Sequence, residues 1–305
     1  MTTDTDFGDA MKAILLQVTP EKRDELEQNL QDVNFVEDES TERISFGTIA
    51  AWKLVRVPKR CQSRLWAQCY AYFCDFAAFV ANKDGLSPRS RYDLSESDLK
   101  QAGEMLEWAT NVDVSVRVQR RAGRPIEVEA MPKDMPMPIS GQKFEFVRRY
   151  AEQVFLHAFA FILHHELSHI RLGHNGTKGE LPIEEEFEAD RAATDFMVSA
   201  SDLSEHDYLL RHLGIAIALL WFTTIDFFER YEKRAHPPSW ERLYRALEPS
   251  LKGERDAIWG FVALALRLHF RRVGISLHSM SDFGPTKDTV RRLLDLLQRH
   301  NESLE

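Results

Sequence analysis

The sequence predicts a mainly α protein with a small β element near its N-terminus. Three observations carry this expectation. From Phe144 onward the chain repeats apolar residues at helical spacing almost throughout. One earlier stretch, "RISFGTIAAWKLVRV", alternates and is β-branched as strands are. Finally, 44% of the 305 residues are hydrophobic, enough to bury a core in one large or two modest domains.

Taken in order, residues up to about Arg60 combine a short helical start with that strand or hairpin. "SRLWAQCYAYFCDFAAFVA", Ser63 to Ala81, is apolar on most faces and has no breaker, so it reads as a buried helix whose aromatic stripe is core. "SESDLKQAGEMLEWA" opens on a serine cap and keeps helical periodicity through Ala109. Prolines and glycines make Arg120 to Gly141 loop-like. That loop is the expected boundary between an α+β region, 1–140, suited to recognising a substrate or trigger, and a helical region, 141–305. In the second region helices are expected from Phe144 to Leu172, after Pro182, from Tyr208 to about Lys233, from Glu254 to Phe270 and from Thr286 to His300. The most apolar run, Leu213 to Ile225, is shorter than the roughly 20 residues that cross a bilayer. It reads as a buried core helix, and no membrane span is expected.

Composition narrows the partners. Lys plus Arg number 39 and Asp plus Glu 48, a formal charge of −9 without a basic block, so no nucleic-acid footprint is expected. The short clusters "RVPKR" and "VQRRAGR" read as solvated faces. Cys61, Cys69 and Cys74 form no CxxC pair, which suits reduced thiols in a cytoplasmic protein. The acidic start "MTTDTDFGDAMK" has no signal-peptide character.

The chemistry concentrates in "AFILHHELSHIRLGH". His165 and His169 are four apart, so on a helix both imidazoles leave one face and can hold one metal ion. Glu166 stands beside the first ligand, where its carboxylate can take a proton from an attacking water. A three-histidine HExxHxxGxxH site would need Gly at 172 and His at 175, where this chain has Leu172 and Asn175. His174 is therefore expected as a helix C-terminal cation. His164, rotated about 100° from His165, is expected as a packing or surface histidine. A third ligand must come from another element. In "EEEFEAD", Glu186 and Asp190 share a helix face with Ala189 and Ala193, whose small size permits close approach to the first helix. Glu186 is the expected ligand, and Asp190 the acceptor that fixes a ligating histidine's tautomer. Glu185 and Glu188 are expected to form a solvated acidic face. Downstream, His236 is either an unremarkable loop histidine or one that reaches the open side of the metal. Arg242, in the proline-started helix after it, could pair with Glu186 or a nearby carboxylate.

"ILHHELSH", "EEEFEAD", "LGIAIALL" and "HPPSWERLY", in that order and preceded by "YDLSESDLKQAGEMLEWA", resemble the Lit phage-exclusion peptidases of bacteria. The likeness runs from about Tyr92 to Arg245. More distantly, the HExxH, ExxAD and HPxxxxR series is similar to the heat-shock and prenyl-protein zinc peptidases. The resemblance implies one zinc ion on His165, His169 and Glu186, Glu166 as base, and His236 and Arg242 near the reacting carbonyl. It also implies a zinc endopeptidase in phage defence, triggered by a phage product and cleaving a protein substrate, the translation factor elongation factor Tu. Two rivals stand beside it: a non-catalytic, zinc-stabilised helical sensor, and a repressor-cleaving regulatory peptidase.

Overall fold

The computed structural model describes residues 4–39, 46–92, 94–127, 131–132, 146–174, 183–200, 202–226, 237–272, 274–275, 277, 284 and 286–303. It is mainly helical, with one three-stranded sheet. Helices α1 (Asp4–Val18) and α2 (Arg23–Leu30) lead into β1 (Asn34–Asp38), followed by β2 (Gly47–Ile49) and β3 (Leu54–Pro58). Then come α3 (Lys59–Lys83), α4 (Pro88–Tyr92) and α5 (Glu96–Arg121). The remaining elements are α6 (Phe146–Leu172), α7 (Ile183–Val198), α8 (Glu205–Asp226), α9 (Ser239–Leu247), α10 (Ala257–Arg272) and α11 (Lys287–Glu302).

The expected hairpin is β2 with β3, antiparallel with Thr48 opposite Val55. The sheet also contains β1, which the sequence reading did not separate from the helical start. It runs parallel to β3 with Phe35 opposite Val55, giving the order β1-β3-β2. The serine cap on α5 is present as a box. Ser95 Oγ accepts from the Asp98 backbone N–H at 3.2 Å, while the Ser95 N–H donates to Asp98 Oδ2 at 2.7 Å. That helix runs on past Ala109 to Arg121.

The packing centres on α6. Val147, Ala151, Val154, Ala158 and Ile162 are buried at spacings of three or four, and His165 and His169 continue the same stripe. The face that builds the core is therefore the face that carries the candidate ligands. Around it stand α3, α7 and α8, with α1, β2 and β3 also in contact. In α8, every residue from Leu210 to Trp221 is buried, as expected of a helix that is apolar all round. Phe46, just before β2, lies edge-on to Phe159 of α6 and Trp221 of α8, tying the sheet to the helices. Buried residues from α1 to α11 form one continuous cluster. No helix among the described residues is long and apolar enough to cross a membrane.

Helices α6 and α8 approach most tightly at Gly214, where an added Cβ would stand 2.5 Å from the His157 Cβ and 2.6 Å from its carbonyl carbon. Backbone cannot yield as a flexible side-chain tip can. Gly214→Ala is expected to cost about 1–3 kcal/mol, read as a lowered denaturation midpoint at unchanged m-value.

Candidate active site

Three donor atoms converge where α6 crosses α7. His165 Nε2 and His169 Nε2 are 3.1 Å apart. Glu186 brings Oε2 to 3.5 Å from the first and Oε1 to 3.7 Å from the second. All three residues are buried, and among the described residues they form the one group of three or more potential ligands close enough to hold a metal ion. Small residues make the crossing possible: Ala189 and Ala193 are fully buried on the same face of α7 as Glu186 and Asp190.

The donor set fits zinc. Bonds of about 2.0–2.1 Å in a tetrahedral site put ligand atoms roughly 3.3 Å apart, which the three separations bracket. Charge points the same way. Glu166, Glu186 and Asp190 are all buried carboxylates, and Arg242 is the buried guanidinium beside them. Three carboxylates against one guanidinium leave two negative charges that a divalent cation would balance.

Asp190 sits behind the first ligand. His165 Nδ1 is 2.9 Å from Asp190 Oδ1, a close contact whose N–H axis is not well aimed. Arg242 holds Asp190 in a two-pronged grip, with Nε 2.7 Å from Oδ2 and Nη2 2.8 Å from Oδ1. Its Nη1 also reaches Glu186 Oε2 at 3.3 Å. Helix α9 begins directly after Pro238, whose carbonyl accepts from the Arg242 N–H, and this start aims Arg242 at α7. Of the pairings open to Arg242, the structure thus shows both Glu186 and a second carboxylate. His236 lies outside the described residues.

Electrostatics follow the contacts. Burial raises the Glu166 carboxyl above the usual glutamate value, against the pull of neighbouring His165. Burial works against a charged His165, but the Asp190 carboxylate overrides it and the net shift is upward. Burial, followed by the proximity of His165, drops His169 to about 3. Burial would also raise Asp190, yet the Arg242 guanidinium outweighs it and holds Asp190 below its ordinary value. Glu166 is further fixed through its backbone: the Thr48 hydroxyl, on edge strand β2, donates to its carbonyl oxygen at 3.2 Å.

Two sequence expectations need correction. His174 is not merely a terminal cation. Its Nδ1 is 2.9 Å from His169 Nδ1, and its Nε2 is 3.2 Å from Glu188 Oε2. Glu188 is half exposed, so it borders solvent, but it faces His174 as well. His164 is buried against the Phe196 ring, and its Nε2 has no hydrogen-bond partner among the described residues. It is thus the packing histidine the sequence leads one to expect, and burial drops it to about 3.

Residues 55–262, about two thirds of the chain, match the family description peptidase U49. The chain belongs to the peptidase U49 family. The match runs from β3 into α10 and includes every residue of the donor cluster, while Thr48 lies just outside it. The chain is also similar to the "Cell death peptidase" of Escherichia coli (strain K12), 29% identical over 195 residues. That alignment covers 62% of this chain and 62% of the relative's length. The Lit-type likeness carried by the motifs agrees with both findings. No solved structure matches the chain significantly.

Proposed function

We propose that this chain is a zinc-dependent endopeptidase that cleaves a specific protein substrate. The observation that carries the reading is the convergence of His165, His169 and Glu186 with the buried Glu166 beside them, in a family described as peptidases. His165 and His169 would hold the ion from α6 and Glu186 from α7. Zinc supplies Lewis-acid polarisation of a carbonyl and acidification of a water.

The rest of the work falls to the chain. Glu166 takes the proton of the attacking water and passes it to the departing amine nitrogen. Its burial favours that role, because a carboxyl raised above its ordinary value is a stronger base toward the water proton. Asp190 orients the His165 ring, and Arg242 keeps Asp190 ionised and still. Arg242 therefore acts first as a positioning residue, and the Lit-type resemblance, which puts it near the reacting carbonyl, leaves it close to the substrate as well. His236, which the Lit-type resemblance puts near that carbonyl, is proposed as a donor to the developing oxyanion.

Family resemblance supports phage defence as the setting and elongation factor Tu as the first substrate to try. An unrestrained protease of this kind would damage its host, so activity gated by a partner or a substrate conformation belongs to the proposal. A purely structural zinc module has no use for a buried glutamate beside the ligands, which weighs against the sensor reading. The test is peptide-level mass spectrometry of new N-termini in cells expressing wild type or Glu166→Gln, with and without phage challenge. The proposal expects a small set of wild-type-only cleavages. Identical termini in both strains under every condition would reject it.

A further inference from the structure

We propose that His174 and Glu188 are positioning residues that fix the proton of the second metal ligand, so that His169 presents a bare Nε2 to the ion. This rests on the metal-centre reading above and extends it to residues at none of the fixed positions of HExxH and ExxAD: His174 lies beyond the first motif and Glu188 is a variable position of the second. The placement starts from the end of α6. Gly173 adopts φ +71°, the left-handed region where a side chain is strained. Its N–H donates to the Ile170 carbonyl at 3.2 Å, and the His174 N–H donates to the His169 carbonyl at 3.0 Å. These two bonds are a Schellman closure. They reverse the chain, so His174 folds back over the last turn and brings its ring onto His169, 5.1 Å between centroids.

Proton bookkeeping then has one solution when both rings are neutral. Each neutral imidazole has one N–H and one lone pair, and an ionised carboxylate only accepts. Glu188 Oε2, 3.2 Å away, requires the proton of His174 on Nε2. His174 Nδ1 is then a lone pair, and His169 Nδ1, 2.9 Å from it, must be the donor. The His169 Nε2 is left bare, facing His165 and Glu186. The same assignment follows from the other end, since a ligating Nε2 cannot carry a proton. Agreement from both ends is what singles out this relay. His165 Nδ1 stands beside Asp190, which Arg242 grips inside the protein, whereas His169 meets a histidine that faces a half-exposed carboxylate.

The experiment measures Zn²⁺ affinity by competition with a chromophoric chelator, in wild type, His174→Phe, His174→Gln and Glu188→Gln. Nitrogen-15 NMR of the His169 ring is recorded alongside. His174→Phe keeps a ring but removes the acceptor, and is expected to weaken zinc binding about 10–100-fold. His174→Gln restores an acceptor oxygen and is expected to recover most of that loss. Glu188→Gln, at a half-exposed site compatible with folding even if His174→Phe is not, is expected to lose affinity and blur the His169 tautomer. Wild-type affinity and an unmoved His169 signal in a folded His174→Phe or in Glu188→Gln would overturn the relay alone. A His174→Gln as weak as His174→Phe would do the same, reducing His174 to packing. If wild type takes up no zinc through His165, His169 and Glu186, the metal-centre reading falls and the relay falls with it.

Discussion

Glu166→Gln is expected to remove cleavage while keeping the fold and the metal. A positioned general base commonly contributes about 10²–10⁴ in rate, and glutamine is nearly isosteric but cannot accept the proton. The pH profile adds an independent check. Glu166 works ionised, so wild-type activity should fall as decreasing pH protonates it, and the glutamine variant should lack that limb. Stability should move the other way. A group whose folded pKa is raised favours folding fully below its unfolded value and loses that contribution as pH rises through the folded one. Metal-free Glu166→Gln should therefore be more stable than metal-free wild type at neutral pH, with the difference vanishing below about 4.5. Thermal melts across pH measure this. A variant that cleaves at the wild-type rate would sink the assignment of Glu166.

Arg242→Met is expected to be the most destabilising single change near the site. It leaves Asp190 and Glu186 buried without their shared guanidinium, and breaking such a pair from one side costs about 3–5 kcal/mol. Adding Asp190→Asn should recover part of that cost, because one orphaned charge is gone. The pH dependence is opposite to that of Glu166. Asp190 has a depressed folded pKa, so its contribution is fully present above the ordinary aspartate range. It fades only as pH falls through the folded value, below 3.8. Urea denaturation of the two single variants and the double variant at pH 7 checks the cycle. An Arg242→Met protein as stable as wild type would show that this network does not hold α9 to α7.

How much of this could be read from the chain depended on distance along it. His165 with His169, and Glu186 with Asp190, are four-residue spacings on uninterrupted helices, so periodicity alone put each pair on one face. Joining the two pairs needed only the small residues Ala189 and Ala193 on the facing side. The relay through His174 was hidden because periodicity stops at Gly173. There a left-handed residue reverses the chain, and no helical wheel extends past it. Glu188 looked solvated for a related reason: its carboxylate meets a residue that the wheel had placed elsewhere. Strand β1 is only "NFVED", and its pairing with β3 is parallel and non-local, so alternation within five residues gave too little signal. The Thr48 bond to the Glu166 carbonyl spans more than a hundred residues of chain, and nothing local announces it. The long helices α3, α6 and α8 were clear, since burial on most faces leaves unbroken apolar runs.

The most direct test of the central claim is metal content and affinity of the purified chain, measured together with cleavage. Zinc is quantified by mass spectrometry and titrated against a chelator in wild type, His165→Ala, His169→Ala and Glu186→Gln. One tightly bound zinc per wild-type chain is expected, with loss of tight binding in each histidine variant and clear weakening in Glu186→Gln. Cleavage should disappear on chelation and return with zinc. Full activity in metal-free wild type, or undiminished zinc binding in His165→Ala and His169→Ala, would contradict that claim.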